Sequence, residues 1–137
     1  MERKYNSLRE KISAEKVERL ARYTTYSNLF QKAWKAGTEA ATSHQPRPML
    51  VTDMHGNVVE QVNDGPCGFA WLNVPGNTSF GKWLRKSNLA RPDYPTGLSI
   101  WISEYGQSYE RKRVHAGAMA AILQENGIEC VARGRLD

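Results

Sequence analysis

The residues of this chain with the most pointed chemistry are Gln107, Ser108 and Arg111, with Lys112 and Arg113 beside them and Arg135 near the end. A serine ahead of an amphipathic run is a helix N-cap, and Glu110 suits the positive end of the helix dipole that follows. Arg111, Lys112 and Arg113 do not suit it, each being opposed by about 0.3–1 kcal/mol where unscreened. A bound anion would reverse that penalty, because free N–H groups, a hydroxyl and guanidinium groups together cradle one. The blander alternative, and the commoner one for charge runs, is neutralisation by Glu104 and Glu110 or plain solvation. The turn holding Asn77 and Ser79 has similar chemistry. The expected binding residues are therefore Asn77, Ser79, Gln107, Ser108, Arg111 and Arg135, and the expected ligand bears phosphate: a nucleotide or nucleic acid. Neither turn matches a P-loop or a dinucleotide fingerprint.

Trp71, Trp83, Trp101, Tyr94 and Tyr105 contain the material for a base-stacking platform, with Arg85, Arg91 and Arg111 to hold phosphates. Ordinary core packing explains Trp71 and Trp83 equally well. Trp101 alternates with Ile100 and Ile102 and so faces away from them, while Tyr94 and Tyr105 lie in loops. His44, His55, His115, Cys67 and Cys130 have no spacing that marks a triad, a dyad or a zinc site. His55 belongs to a turn, and His115 to the flank of the last helix as a structural histidine. A non-enzymatic reading is favoured, with no cofactor and no metal.

These residues are positioned by two kinds of element. Residues 1–41 read as a helical arm with a break near Ile12-Ser13, its apolar stripe thin early and richer at Phe30, Ala33, Trp34 and Ala40. Residues 42–137 read as an α+β body, the whole forming one domain. Pro46 and Pro48 mark a linker. Strands at 49–52, 58–62 and 67–74 form a three-stranded meander, in which Gly68 marks a bulge or a close backbone approach. A short helix with Phe80, Trp83 and Leu84 inward follows, then an irregular loop containing Pro92 and Pro95. From 98 to 133 the pattern is strand, Gly-containing turn, long helix and strand, read as a parallel β-α-β unit. The expected architecture is a mixed sheet of about five strands with helices mainly on one face and the N-terminal helix across it.

Net charge is +5, and residues 1–35 carry nine Lys and Arg against four Glu, so the surplus of the arm equals that of the whole chain. An acidic partner is favoured, attracted mainly by the arm. No apolar run approaches the ~20 residues of a membrane span, and no secretory signal pattern is present. Cys67 and Cys130, in apolar strand-like contexts, are expected as buried reduced thiols.

Gly65-Pro66-Cys67-Gly68-Phe69-Ala70-Trp71, Pro75-Gly76-Asn77, Ile100-Trp101-Ile102-Ser103, Gly106-Gln107-Ser108-Tyr109-Glu110-Arg111-Lys112 and the ending Gly134-Arg135-Leu136-Asp137 resemble a family of small proteins of tailed bacteriophages. The likeness spans roughly residues 30–137. It implies a viral origin and residence in the host bacterial cytoplasm, and no mechanism. Accessory proteins of this kind act on nucleic acid, host factors or defence signals. The alternative readings are therefore an interaction protein that inhibits or adapts a host protein, with self-association through the N-terminal helix, and a small nucleotide-acting enzyme.

Overall fold

The computed structural model describes residues 2–137, with side chains from Ser7 onward. Met1 and the side chains of Arg3 and Lys4, counted above in the basic arm, lie outside the described residues. The chain opens with a single helix, α1 (Glu2–Ser43), and the expected break at Ile12-Ser13 is absent. No Gly or Pro occurs before Gly37, and Glu15 and Arg19, like Glu18 and Arg22, stand four apart with the acid first, the favourable order on a helix surface. Residues 7–22 are exposed throughout, and packing begins at Tyr23. Beyond it the Tyr26 ring meets Phe80 edge-on at 5.3 Å, and Trp34 meets His115 at 4.4 Å. Gly37 makes the approach of α1 to His115 workable, since a Cβ there would lie 2.6 Å from the imidazole.

The linker leads to β1 (Met49–Thr52) and β2 (Val58–Val62), an antiparallel hairpin. There follow β3 (Gly68–Val74), α2 (Ser79–Lys86), β4 (Arg91–Pro92), β5 (Leu98–Trp101), α3 (Tyr109–Glu125) and β6 (Val131–Leu136). The protein is α+β, with an N-terminal helix and two open sheets.

The connectivity departs from the expected meander and from the mixed sheet. β1 and β2 form a sheet of their own, and the other four strands are ordered β4-β5-β3-β6 with every pairing antiparallel. The hairpin is exposed along nearly all its length, so it offers no apolar face to join β3. Both edges of β3 are in any case taken, by β5 and by β6. β5 and β6 do run the same way through α3, but β3 lies between them, so the expected parallel pair becomes two antiparallel ones. This is the split β-α-β arrangement of ferredoxin-like connectivity, β-α-β-β-α-β.

Alternation along β3 divides the sheet into two faces. Ala70, Leu72 and Val74 are buried with Leu98 and Ile100 of β5 against Phe80, Trp83 and Leu84 of α2, Met119 and Leu123 of α3 and Ala33 of α1. Phe69, Trp71 and Asn73 point the other way, out of this core, where all three stay half-buried and Lys112 of α3 reaches the Phe69 ring. Gly68 is a point of close approach, as expected: a Cβ there would lie 2.6 Å from the Tyr109 ring and 2.7 Å from the Arg135 carbonyl.

Candidate functional site

The start of α3 is closed by the chain itself. Ser108 is 1% exposed; its hydroxyl donates to the Asp64 carbonyl at 3.0 Å and accepts from the Arg111 N–H at 3.3 Å. The Tyr109 N–H donates to the Pro66 carbonyl at 3.1 Å. The Arg111 guanidinium lies 3.7 Å from the Asp64 carboxylate, and its Nε is buried without a partner. Glu110 turns to the linker instead: the Arg47 N–H, donating at 2.8 Å, and His44 beside it hold this carboxyl below the usual carboxylate range. The Ser108 hydroxyl and the Tyr109 N–H, which an anion would need, are thus already engaged by the turn that precedes β3, and the Arg111 N–H by the Ser108 cap.

Nor do the two strand-to-helix turns converge. β3 and β5 are antiparallel, so their carboxyl ends lie at opposite ends of the sheet. Asn77 lines a separate cleft with Lys82 and Arg85, and Ser79 is exposed beside Thr78, which is the actual cap of α2, accepting from Gly81 at 3.0 Å. Of the six expected binding residues, Ser108 and Arg111 meet only within the closed cap of α3, and Gln107 and Arg135 alone line a common cleft.

Those two line a larger cleft, of about 710 Å³, with Arg91, Trp101, Phe69 and Lys112. It opens on the face of the sheet turned away from the core, and strand register explains its composition. Phe69 pairs with Arg135, Trp71 with both Arg133 and Trp101, and Ser99 with Arg91, so all of these side chains share one face. Trp101, 39% exposed, stacks on Trp71 with centroids 4.9 Å apart and meets Phe69 edge-on at 6.0 Å. The Arg135 guanidinium lies 5.4 Å above the Phe69 ring. Asp93, from the loop between β4 and β5, accepts from Trp71 Nε1 at 3.1 Å and from Asn73 Nδ2 at 2.6 Å, which fixes the indole orientation.

Lys112 is the most informative member of the group. It is only 5% exposed, and its Nζ donates to the Gly68 carbonyl at 3.1 Å and sits 5.6 Å from the Phe69 ring. An ammonium has three donors and a buried one normally sits beside a carboxylate. Among the described residues, none that lines this cleft is acidic, and Arg91, Lys112 and Arg135 have no ion-pair partner. Three cations and partly exposed aromatic surface therefore line one cleft with no carboxylate in its lining, the Asp93 carboxylate on this face being engaged by Trp71 and Asn73.

Sequence reasoning named Trp101, Arg91 and Arg135 but missed the face they share with Phe69 and Trp71. The signal was alternation in residues 68–74: small or aliphatic residues at even numbers, aromatic or polar ones at odd numbers. Trp83 is core, as expected, and Tyr94 is almost fully exposed in the β4–β5 loop. His115 is fully buried, with Nδ1 2.7 Å from the Tyr105 hydroxyl and Nε2 unpaired, and burial lowers its pKa. Burial also pushes the Cys130 thiol up to about 11, whereas Cys67 is exposed rather than buried; both are free. No three His, Cys, Asp or Glu among the described residues cluster as metal ligands, and no described helix is long and apolar enough to cross a membrane. Compared with known protein families, curated proteins and solved structures, the chain matches none.

Proposed function

We propose that this protein binds a phosphate-bearing ligand, nucleotide or nucleic acid, on the face of its four-stranded sheet turned away from the core, and that it does so without catalysing a reaction. The observation that carries the reading is that Arg91, Lys112 and Arg135, none of them in an ion pair, line one cleft with the half-buried Phe69 and the exposed Trp101. Phosphate supplies the missing negative charge, and a base supplies a π-face for Trp101. Four-stranded sheets that display aromatic side chains are a recurrent way to hold unpaired bases, which is an analogy of architecture and not a statement of kinship. In keeping with the resemblance to small phage proteins, the binding serves an accessory role in an infected bacterial cell.

The test is titration of a labelled short single-stranded oligonucleotide and of a mononucleotide against wild type and Arg135→Ala. Loss of about 1.5–3 kcal/mol of binding with an unchanged thermal midpoint is expected. For the oligonucleotide, log affinity should fall with log salt at about −0.7 per phosphate neutralised. Equal affinities for the two proteins would refute the site.

A second reading, docking to a host protein through α1, is favoured by the exposure of Leu8, Ile12, Val17 and Leu20 on the projecting part of that helix. It predicts partner binding that survives Arg135→Ala and is lost when residues 1–22 are removed.

A further inference from the structure

We infer that the ligand is a single strand of at least two nucleotides, because a second base subsite adjoins the cationic cleft on the far side of Trp101. The inference rests on the reading of the sheet face as a nucleotide-binding surface, and it adds the length and strandedness of what is bound. Pairing of β4 with β5 ends at Arg91–Ser99, so no described strand covers the edge of β5 at Ile100 and Trp101. Between that edge and α1 runs a groove of about 520 Å³, walled by Phe30 and Trp34 on one side and Ile100 and Trp101 on the other, with Leu89 at its end. Phe30 and Trp34 stack with centroids 6.1 Å apart and planes 21° from parallel, so the α1 wall is aromatic.

Three features make a nucleobase of the same strand the occupant. The groove and the cationic cleft share Trp101, Leu89 and Asn88, so the two compartments adjoin across the indole, a step that the backbone between consecutive nucleotides can make. The walls are apolar and aromatic, with Gln31, Lys35 and Asn88 as the polar members of the lining, which suits the face of a base more than a phosphate. Lys35, exposed at the rim, adds a fourth cation along the path, and among the described residues none lining either compartment is acidic. A mononucleotide held by Arg135 and Lys112 occupies one side of Trp101 only, and a duplex keeps its bases stacked on one another and away from both walls.

The experiment is a length series of oligothymidylates, from one to six nucleotides, titrated against wild type, Trp34→Ala and the exposed pair Gln31→Glu with Lys35→Glu. Wild-type affinity should rise by about 5- to 150-fold on adding the second base, the worth of one base–aromatic stack. Both variants should flatten that step while binding the mononucleotide as wild type does. Trp34→Ala also removes a contact to His115, so the charge pair, at two exposed positions, is the deciding variant if the alanine variant unfolds. The same step in wild type and the charge pair overturns the second subsite and leaves the nucleotide reading intact. A flat wild-type series, as expected if the β5 edge instead receives an extended peptide, also overturns it. A wild type that binds no length at all overturns both.

Discussion

A lysine ammonium that is 5% exposed, with a carbonyl as its hydrogen-bond acceptor, is an expensive group to keep in a small protein. If Lys112 served the fold, its removal would destabilise; if it serves a ligand, the fold should hardly notice. Lys112→Met, which keeps the stem and deletes the charge, is therefore expected to move the thermal midpoint by no more than about 4 °C and to weaken oligonucleotide binding by about tenfold or more. Calorimetry and anisotropy on the same preparation check both halves. His115 makes the opposite kind of prediction. Burial depresses its folded pKa, opposed by the weaker effect of Glu104, so the unfolded chain takes up a proton first. Stability should hence be full above the ordinary histidine value of about 6.5 and fall as pH drops below it toward the lowered folded value. His115→Phe should flatten the difference in midpoint between pH 7.5 and pH 5.5. At this scale the sequence was partly legible. Ser108 is the cap that local spacing announced, whereas the partner of Arg111 is Asp64, distant in the chain and brought close only by the turn before β3.

Among elements, α1 is two things joined end to end. Residues 7–22 stay exposed, while Tyr26, Phe30 and Trp34 pack against α2 and α3. Deleting residues 1–22 is expected to shift the midpoint by less than about 5 °C, and deleting residues 1–34 to abolish cooperative unfolding, because only the second cut removes packed aromatic area. Thermal unfolding of the two truncations separates the cases, and a large loss from the shorter cut would show that the projecting turns support the core. Periodicity revealed the thin early stripe and the docking residues. It could not show that the helix continues through Ser13, because a serine is as good inside a polar helical face as ahead of one.

For the molecule as a whole, composition and pattern revealed an α+β protein but not the pairing of its strands. Hydrophobic alternation says which face of a strand is buried and is silent about which neighbour lies at its edge. That is why β3, read as the end of a meander, becomes the centre of a sheet. The error carried over to the site, since the rule that ligands gather beyond the carboxyl ends of parallel strands does not apply to β3 and β5, which are antiparallel. Charge adds a test at this scale. Removing residues 1–22 takes away seven cations and four acids from a chain of net +5. The arm should then set long-range attraction, lost by physiological salt where screening acts within about 8 Å, and the sheet face the contact that survives it. Association rates measured against salt, with and without residues 1–22, are expected to converge as salt rises, while dissociation rates stay alike.

The position of β3 also governs the order in which the molecule can come into being. Its two partners, β5 and β6, are both made after it, and β6 runs to Leu136. During synthesis α1 can coil as it emerges, but β3 must wait, with one edge bare until β5 follows and the other until β6 does. An unpaired, aromatic-rich strand is the sort of segment that adheres to others of its kind. A ribosome stalled anywhere before residue 131 would hold a chain that cannot close its sheet, so the aromatic face forms only once the last strand is free to reach back to β3.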